Sequence, residues 1–207
     1  MTDKKPNTLQ FERFVFFSDA VFAIAITLLI IDIQLPKKPL LTEQDLQQAL
    51  VSLAPNYVGF LISFIVIGQF WAGHRRLFRL AKDVGGPTLF ANMTLLFAIA
   101  FLPFPTAVVN AYGGTTTAVV FYGAWLLFAG LANLWLVHSI HRDEGNLVAP
   151  LGDEQRFERR RAVLPLLIAT SGIVVGLIYA PAGVVAFTIS PPIFAKLLAW
   201  RTREQSG

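Results

Sequence analysis

The sequence predicts an all-α membrane protein, six transmembrane helices in a single domain spanning residues 1–207, and three observations predict it. Of the 207 residues, 55% are hydrophobic and only 14% are charged, well below the roughly 25% charged residues of an ordinary soluble domain. The charges are bunched, which leaves uncharged intervals over 46–73, 84–141 and 162–195 behind a first apolar run that begins near Phe14 and ends by Pro36. The basic residues, finally, gather on one side of a six-helix layout, as the cytoplasmic flanks of membrane helices do.

The first span, 14–35, is long enough for the roughly 20 apolar residues that a crossing needs. It follows an acidic and polar N-terminal stretch and has no small-residue cleavage site after it, so it is expected to stay in the mature protein. The outer loop "PKKPLLTEQDLQQALVSLA", 36–54, reads as a short amphipathic helix beginning near Thr42. A second span covers 55–79. The interval 84–141 must hold two crossings, 87–111 and 116–140, because "NAYGGTTTA" interrupts it with Gly113 and Gly114. Pro103 and Pro105 should kink the earlier of the two. "HRDEGNLVAPLGDEQRFERRR", 141–161, has the length of a loop plus a short surface helix.

The last interval could hold one long tilted helix, or two short ones, 162–179 and 182–199, hinged at "YAPAG". Charge bias decides it. With six spans and the N-terminus inside, the cytoplasmic segments carry Lys4, Lys5, Arg13, Arg75, Arg76, Arg79, Lys82, Arg142, Arg156, Arg159, Arg160, Arg161, Lys196, Arg201 and Arg203, leaving only Lys37 and Lys38 outside. Five spans would export the last three. Both termini are therefore expected in the cytoplasm, with the protein multi-pass in the cell membrane. Gly172 with Gly176, and Gly123 with Gly130, read as helix-packing positions.

This topology accounts for the net charge of +4. The arginines are divided among short loops rather than gathered on one face, so nucleic-acid binding is not implied. The absence of cysteine removes disulfides and thiolate metal sites. No Ser, His and Asp arrangement, phosphate-binding glycine loop or catalytic carboxylate pair supports an enzyme, and no cofactor is expected.

The first helix carries the pattern with chemical content. At about 100° per residue, Ala20, Ile24, Thr27, Leu28 and Ile31 share one stripe, and Asp19 falls on the far side. Arg13, six residues before Asp19, is too far along the helix for a favourable pair, which needs a spacing of three or four. A carboxylate on a spanning helix costs about 2.5–3.5 kcal/mol at mid-membrane and less near the interface, where Asp19 lies. That cost favours a partner on a neighbouring helix. Trp71 and His74, on one face of the second span at the matching depth, are the candidates.

The pattern Arg-x-x-x-Phe-Ser-Asp, here Arg13, Phe17, Ser18 and Asp19 followed by "AVFAIAITLLIID", resembles the signature of the transmembrane protein 175 family of potassium channels. "SFIVIGQFWAGHRRLF" and "LLFAIAFLPFPTAVV" extend the likeness. With one six-helix unit, the chain resembles the prokaryotic members rather than the two-unit animal channels. The resemblance implies a homotetramer in the lipid bilayer, with first helices lining a central pore for K⁺ and no TVGYG filter. It implies that Ile24, five residues after the aspartate, forms a hydrophobic constriction with Leu28 and Ile31, and that Thr27 contacts ions. These residues coincide with the stripe obtained from helical angles.

On this reading, Arg13, Phe17, Ser18, Asp19, Trp71 and His74 seat the pore helix. Asp32 ends it at the outer mouth, where Asp32, Glu43 and Asp45 against Lys37 and Lys38 leave a net −1 that mildly favours cations. Neutral oxygen ligands at Thr27 imply a modest preference for potassium over sodium. Apolar residues at helical spacing are by themselves commonly packing positions; the resemblance favours the pore. Two other readings are a proton-coupled transporter using Asp19 and His74, and a scaffold without transport. His138, His141, Asp143 and Glu144 could bind a divalent ion, but an interfacial helix end explains them more simply. Arg159, Arg160 and Arg161 suit anionic headgroups.

Overall fold

The computed structural model describes residues 5–37, 42–142 and 161–187. Lys38, Asp143, Glu144, Arg156, Arg159, Arg160 and the C-terminal basic residues lie outside the described residues, as does most of the expected last span.

Helix α1 runs Lys5–Leu28 and tightens into a 3₁₀ turn over Leu29–Asp32. It begins well before Phe14, because a helix does not stop where its residues become polar. Helix α2, Glu43–Ser52, starts at the expected Thr42. The Thr42 hydroxyl accepts from the Asp45 N–H at 3.1 Å, and the Asp45 carboxylate accepts from the Thr42 N–H at 3.0 Å, a reciprocal cap that satisfies two otherwise orphaned donors. Helix α3, Ala54–Phe78, has Pro near its start, where its missing N–H costs nothing, and Arg75 and Arg76 in its last turn, facing the negative end of the dipole.

Helices α4, Gly86–Phe101, and α5, Pro103–Tyr112, are one apolar run interrupted at Leu102. Pro103 cannot donate to the Ile99 carbonyl, and the Leu102 N–H takes that carbonyl instead at 3.2 Å. The backbone at Leu102 stays helical, so α5 resumes at once. The chain then turns at Gly113 and Gly114 into α6, Thr116–Arg142. Helix α7, Leu164–Ile178, ends where Tyr179 becomes extended, and a further helical stretch occupies 180–187.

That stretch folds back along α7. A Cβ placed on Gly176 would meet Val119 and come against Gly183, and one placed on Gly172 would overlap the Phe187 ring. The small-residue stripe thus permits close approach of α6, α7 and the returning segment. Helices α1 and α4 pack together, α3 lies on α1 and α5, and α6 supports α4, α5 and α7. Ile67, Leu95, Ile99, Leu102, Val119 and Leu136 form the sealed centre.

Among the described residues four helical runs, Leu9–Asp32, Ala54–Phe78, Gly86–Tyr112 and Thr116–Arg142, are long and apolar enough to cross a membrane. Their outer faces carry exposed Phe90, Phe97, Phe104, Leu131 and similar residues. Water would make so large an apolar surface prohibitive, whereas acyl chains accept it. The protein is a multi-pass membrane protein.

Candidate functional site

Helix α1 presents two opposed faces. Ser18, Phe22, Ala25 and Leu29 recur at steps of four, three and four, and all are buried, on the side where α1 packs on α3 and α4 and its 3₁₀ turn on α3 and α5. On the other side Ala20, Ile24, Thr27, Leu28 and Ile31 are all exposed. Ile24 and Ile31 each keep 58% of their surface open. The stripe expected from periodicity is therefore a contiguous apolar face that the rest of the protomer leaves uncovered.

Polar groups set how α1 is seated. Trp71 Nε1 on α3 donates to Asp19 Oδ1 at 2.8 Å, a charge-assisted bond of roughly 1.5–3 kcal/mol in a soluble protein. The guanidinium of Arg75 stands 5.0 Å over the Trp71 ring. One turn of α3 further on, His74 has a different hydrogen-bond partner. Its Nε2 lies 2.8 Å from Asn92 Oδ1 on α4, and an amide oxygen can only accept, so Nε2 carries the proton. Asn92 Nδ2 in turn donates to Ser18 Oγ at 3.0 Å, and Ser18 donates to the Phe14 carbonyl at 3.1 Å. His74, Asn92 and Ser18 are fully buried. The imidazole is wedged between Phe22, at 5.3 Å between ring centres, and Phe78, at 4.5 Å.

Of the two candidate partners for Asp19, Trp71 is thus the one used, and His74 serves Ser18 through Asn92. Arg13 and Phe17 are exposed on the same side of α1 as Ile24 and do not join this network. The motif divides: Ser18 and Asp19 anchor inward, while Arg13 and Phe17 look out with the open stripe.

At the opposite end of α1, Asn110 Nδ2 on α5 donates to Asp32 Oδ2 at 3.3 Å. The Asn110 amide sits against the bare Cα of Gly59, where a Cβ would overlap Asn110 Oδ1. Between the two anchored ends, Thr27 Oγ1 donates to the Ile24 carbonyl at 2.8 Å. That bond uses the hydroxyl proton and leaves the oxygen lone pairs on the exposed side. A second buried polar group lies deep in the bundle, where Ser63 is 2.8 Å from the Thr106 hydroxyl and 3.1 Å from the Tyr122 hydroxyl. It joins α3, α5 and α6 and does not touch α1's open face.

His141 Nδ1 lies 2.6 Å from the Val137 carbonyl of its own helix. Among the described residues no group of three or more His, Asp or Glu is placed to hold a metal.

The Asn92 and Asn110 contacts were not anticipated from sequence. The signal available was an amide inside an apolar run, which demands a partner wherever it sits.

Comparison with known proteins adds an independent observation. The family model described as endosomal/lysosomal potassium channel TMEM175 matches residues 13–103, the region holding α1, α3 and α4. A potassium channel of Chamaesiphon minutus is 37% identical over 142 residues, covering 67% of this chain and 70% of that protein. One of Streptomyces collinus is 42% identical over 96 residues, covering 46% of each. The crystal structure of a lysosomal potassium-selective channel TMEM175 homolog from Chamaesiphon minutus superposes with a TM-score of 0.78 at 26% identity, covering 91% of this chain and 98% of that one.

Proposed function

Because the chain belongs to the TMEM175 potassium channel family, we propose that it is a potassium-preferring cation channel, with α1 lining a pore at the axis of a homotetramer. Each subunit has six crossings, the fifth and sixth formed by α7 and the segment that returns from it, and both termini face the cytoplasm of the cell that carries it. The carrying observation is the open face of α1. An apolar helix stripe with one hydroxyl in it is left bare by its own protomer, and fourfold assembly would turn it inward.

In that arrangement four copies of Ile24, Leu28 and Ile31 close the pore as a dry neck, since an apolar constriction blocks ions by losing its water. Opening widens the neck by a small tilt or rotation of α1. Thr27 offers a neutral oxygen to a partly dehydrated cation, and Asp32 adds negative charge at the outer mouth. No TVGYG segment occurs in the sequence, so preference for potassium rests on weaker ligands than a carbonyl filter supplies. The mechanism calls for no cofactor.

A proton-coupled transporter using Asp19 and His74 is less well supported. The two side chains are committed to different partners, Trp71 and Asn92, so no direct bond carries a proton between them. Reconstitution in vesicles under a potassium gradient tests the reading. A membrane voltage that follows the potassium gradient, with smaller responses to sodium, is the expected result. Saturable uptake coupled to protons would replace the channel with a transporter, and no flux from correctly assembled protein would leave a scaffold.

A further inference from the structure

The bundle leaves a cleft that the pore does not use. Helix α3 packs on α1 and α5 while α7 packs on α6, and between α3 and α7 lies a cavity of about 590 Å³. One face of α3 lines it from Val58 to Arg76, about 27 Å at 1.5 Å per residue, which approaches the roughly 30 Å of a bilayer's hydrocarbon core.

Its lining is polarised along that length. Arg76, near the end of α3, and Arg161, just before α7, stand at one end, and Leu61, Ile65 and Ile168 line the apolar remainder. Gln69, about two turns inward from Arg76, and Asn133 of α6 also face the cleft. Both are accessible from it, Gln69 exposed and Asn133 half-buried. Inside a membrane an amide with nothing to bond costs several kcal/mol. A ligand that supplies acceptors at that depth removes the cost.

We propose that this cleft binds an anionic phospholipid. Arg76 and Arg161 hold the phosphate, the amides of Gln69 and Asn133 donate to the ester carbonyls below it, and an acyl chain lies along Leu61, Ile65 and Ile168. Each guanidinium has five N–H donors, so a phosphate can share it with groups that the arginine already contacts. Basic pockets between membrane helices suit acidic headgroups for this reason. A bound lipid would also tie α7 to α3, the helix that carries Trp71 and His74. The inference concerns lipid binding and does not depend on conduction.

The test is native mass spectrometry of the detergent-purified, full-length protein titrated with phosphatidylglycerol or phosphatidylcholine of identical chains. Phosphatidylglycerol should be retained preferentially, and the double variant Arg76→Gln/Arg161→Gln should weaken it by about tenfold or more, as expected for losing charge-assisted bonds, while phosphatidylcholine binding is unchanged. Ile65→Trp fills the cleft and keeps both arginines. It should also lower phosphatidylglycerol retention, and it decides the matter if the double variant does not fold. Equal retention of the two lipids by the unmodified protein, or undiminished retention by the folded variants, would overturn the proposal. So would loss of the assembly with each protomer still binding phosphatidylglycerol normally, which would mark the cleft as a contact between copies.

Discussion

Replacing Asn92 by Leu removes the central member of the chain that seats α1 while keeping the same branched heavy-atom skeleton. Two bonds are lost, the 2.8 Å contact to His74 and the 3.0 Å bond to Ser18. Ser18 keeps its donation to the Phe14 carbonyl, so its hydroxyl is not stranded. His74 fares worse. Its Nδ1 already has no partner, and after the substitution Nε2 has none either, in a site closed to solvent. Hydrogen bonds between membrane helices average about 0.6 kcal/mol and reach about 1.7, so two of them give about 1–3 kcal/mol per protomer. An orphaned buried donor in a soluble protein costs a similar 1–3 kcal/mol. For a chain of this length, a destabilisation of 1 kcal/mol shifts the melting temperature by roughly 2–4 °C. Thermal unfolding in detergent, followed by size-exclusion chromatography with fluorescence detection, should therefore show a fall of about 3–10 °C. His74→Leu on top of Asn92→Leu should cost much less than the sum of the single changes, because neighbours in one network are not additive. A melting temperature within a degree of the parent, or full additivity, would refute the assignment of these residues to one cooperative seat.

Ile24→Asn places amides in the proposed neck, which should wet it and raise basal potassium flux several-fold; unchanged flux through an intact assembly would remove Ile24 from the gate. Thr27→Val keeps the shape of the side chain and deletes its oxygen, so the potassium-to-sodium permeability ratio should move toward one in bi-ionic recordings, and an unaltered ratio would mean that ions do not touch this hydroxyl. Asp32→Asn removes the negative charge that Asn110 holds in place and should lower single-channel conductance in low salt more than in high salt, since such a carboxylate acts through a screened field. Equal effects at both ionic strengths would contradict that route.

The sequence revealed most where one helix could be considered alone. The spacing of Ala20, Ile24, Thr27, Leu28 and Ile31 fixes that they share a face, and the structure leaves that face open. Thr42 announced α2 because its cap is local, closed by a residue three positions on. The division of labour between Trp71 and His74 was not legible in this way. They sit about 60° apart around α3, and only the placement of α1 and α4 beside it sends one to Asp19 and the other to Asn92. Asn110 is a similar case. Nothing in its own helix indicates Asp32, 78 residues earlier, and the glycine that makes room for it belongs to α3.

The positions of the tethers constrain how α1 can move. Toward its N-terminal half α1 is held laterally by Asp19 to α3 and by Ser18 to α4, and at the other end Asp32 is held to α5. Between them lie Phe22, Ala25 and Leu29, whose buried contacts are apolar and without direction. Dispersion and area burial tolerate a small rotation far better than a hydrogen bond tolerates a lost angle. Motion that widens the proposed neck at Ile24 and Leu28 is therefore cheapest if the two tethered ends travel with α3, α4 and α5 while the middle of α1 slides over its apolar seat. The 3₁₀ turn Leu29–Asp32 ends on the Asp32 tether, and its poorer hydrogen-bond geometry makes it the natural place for α1 to yield.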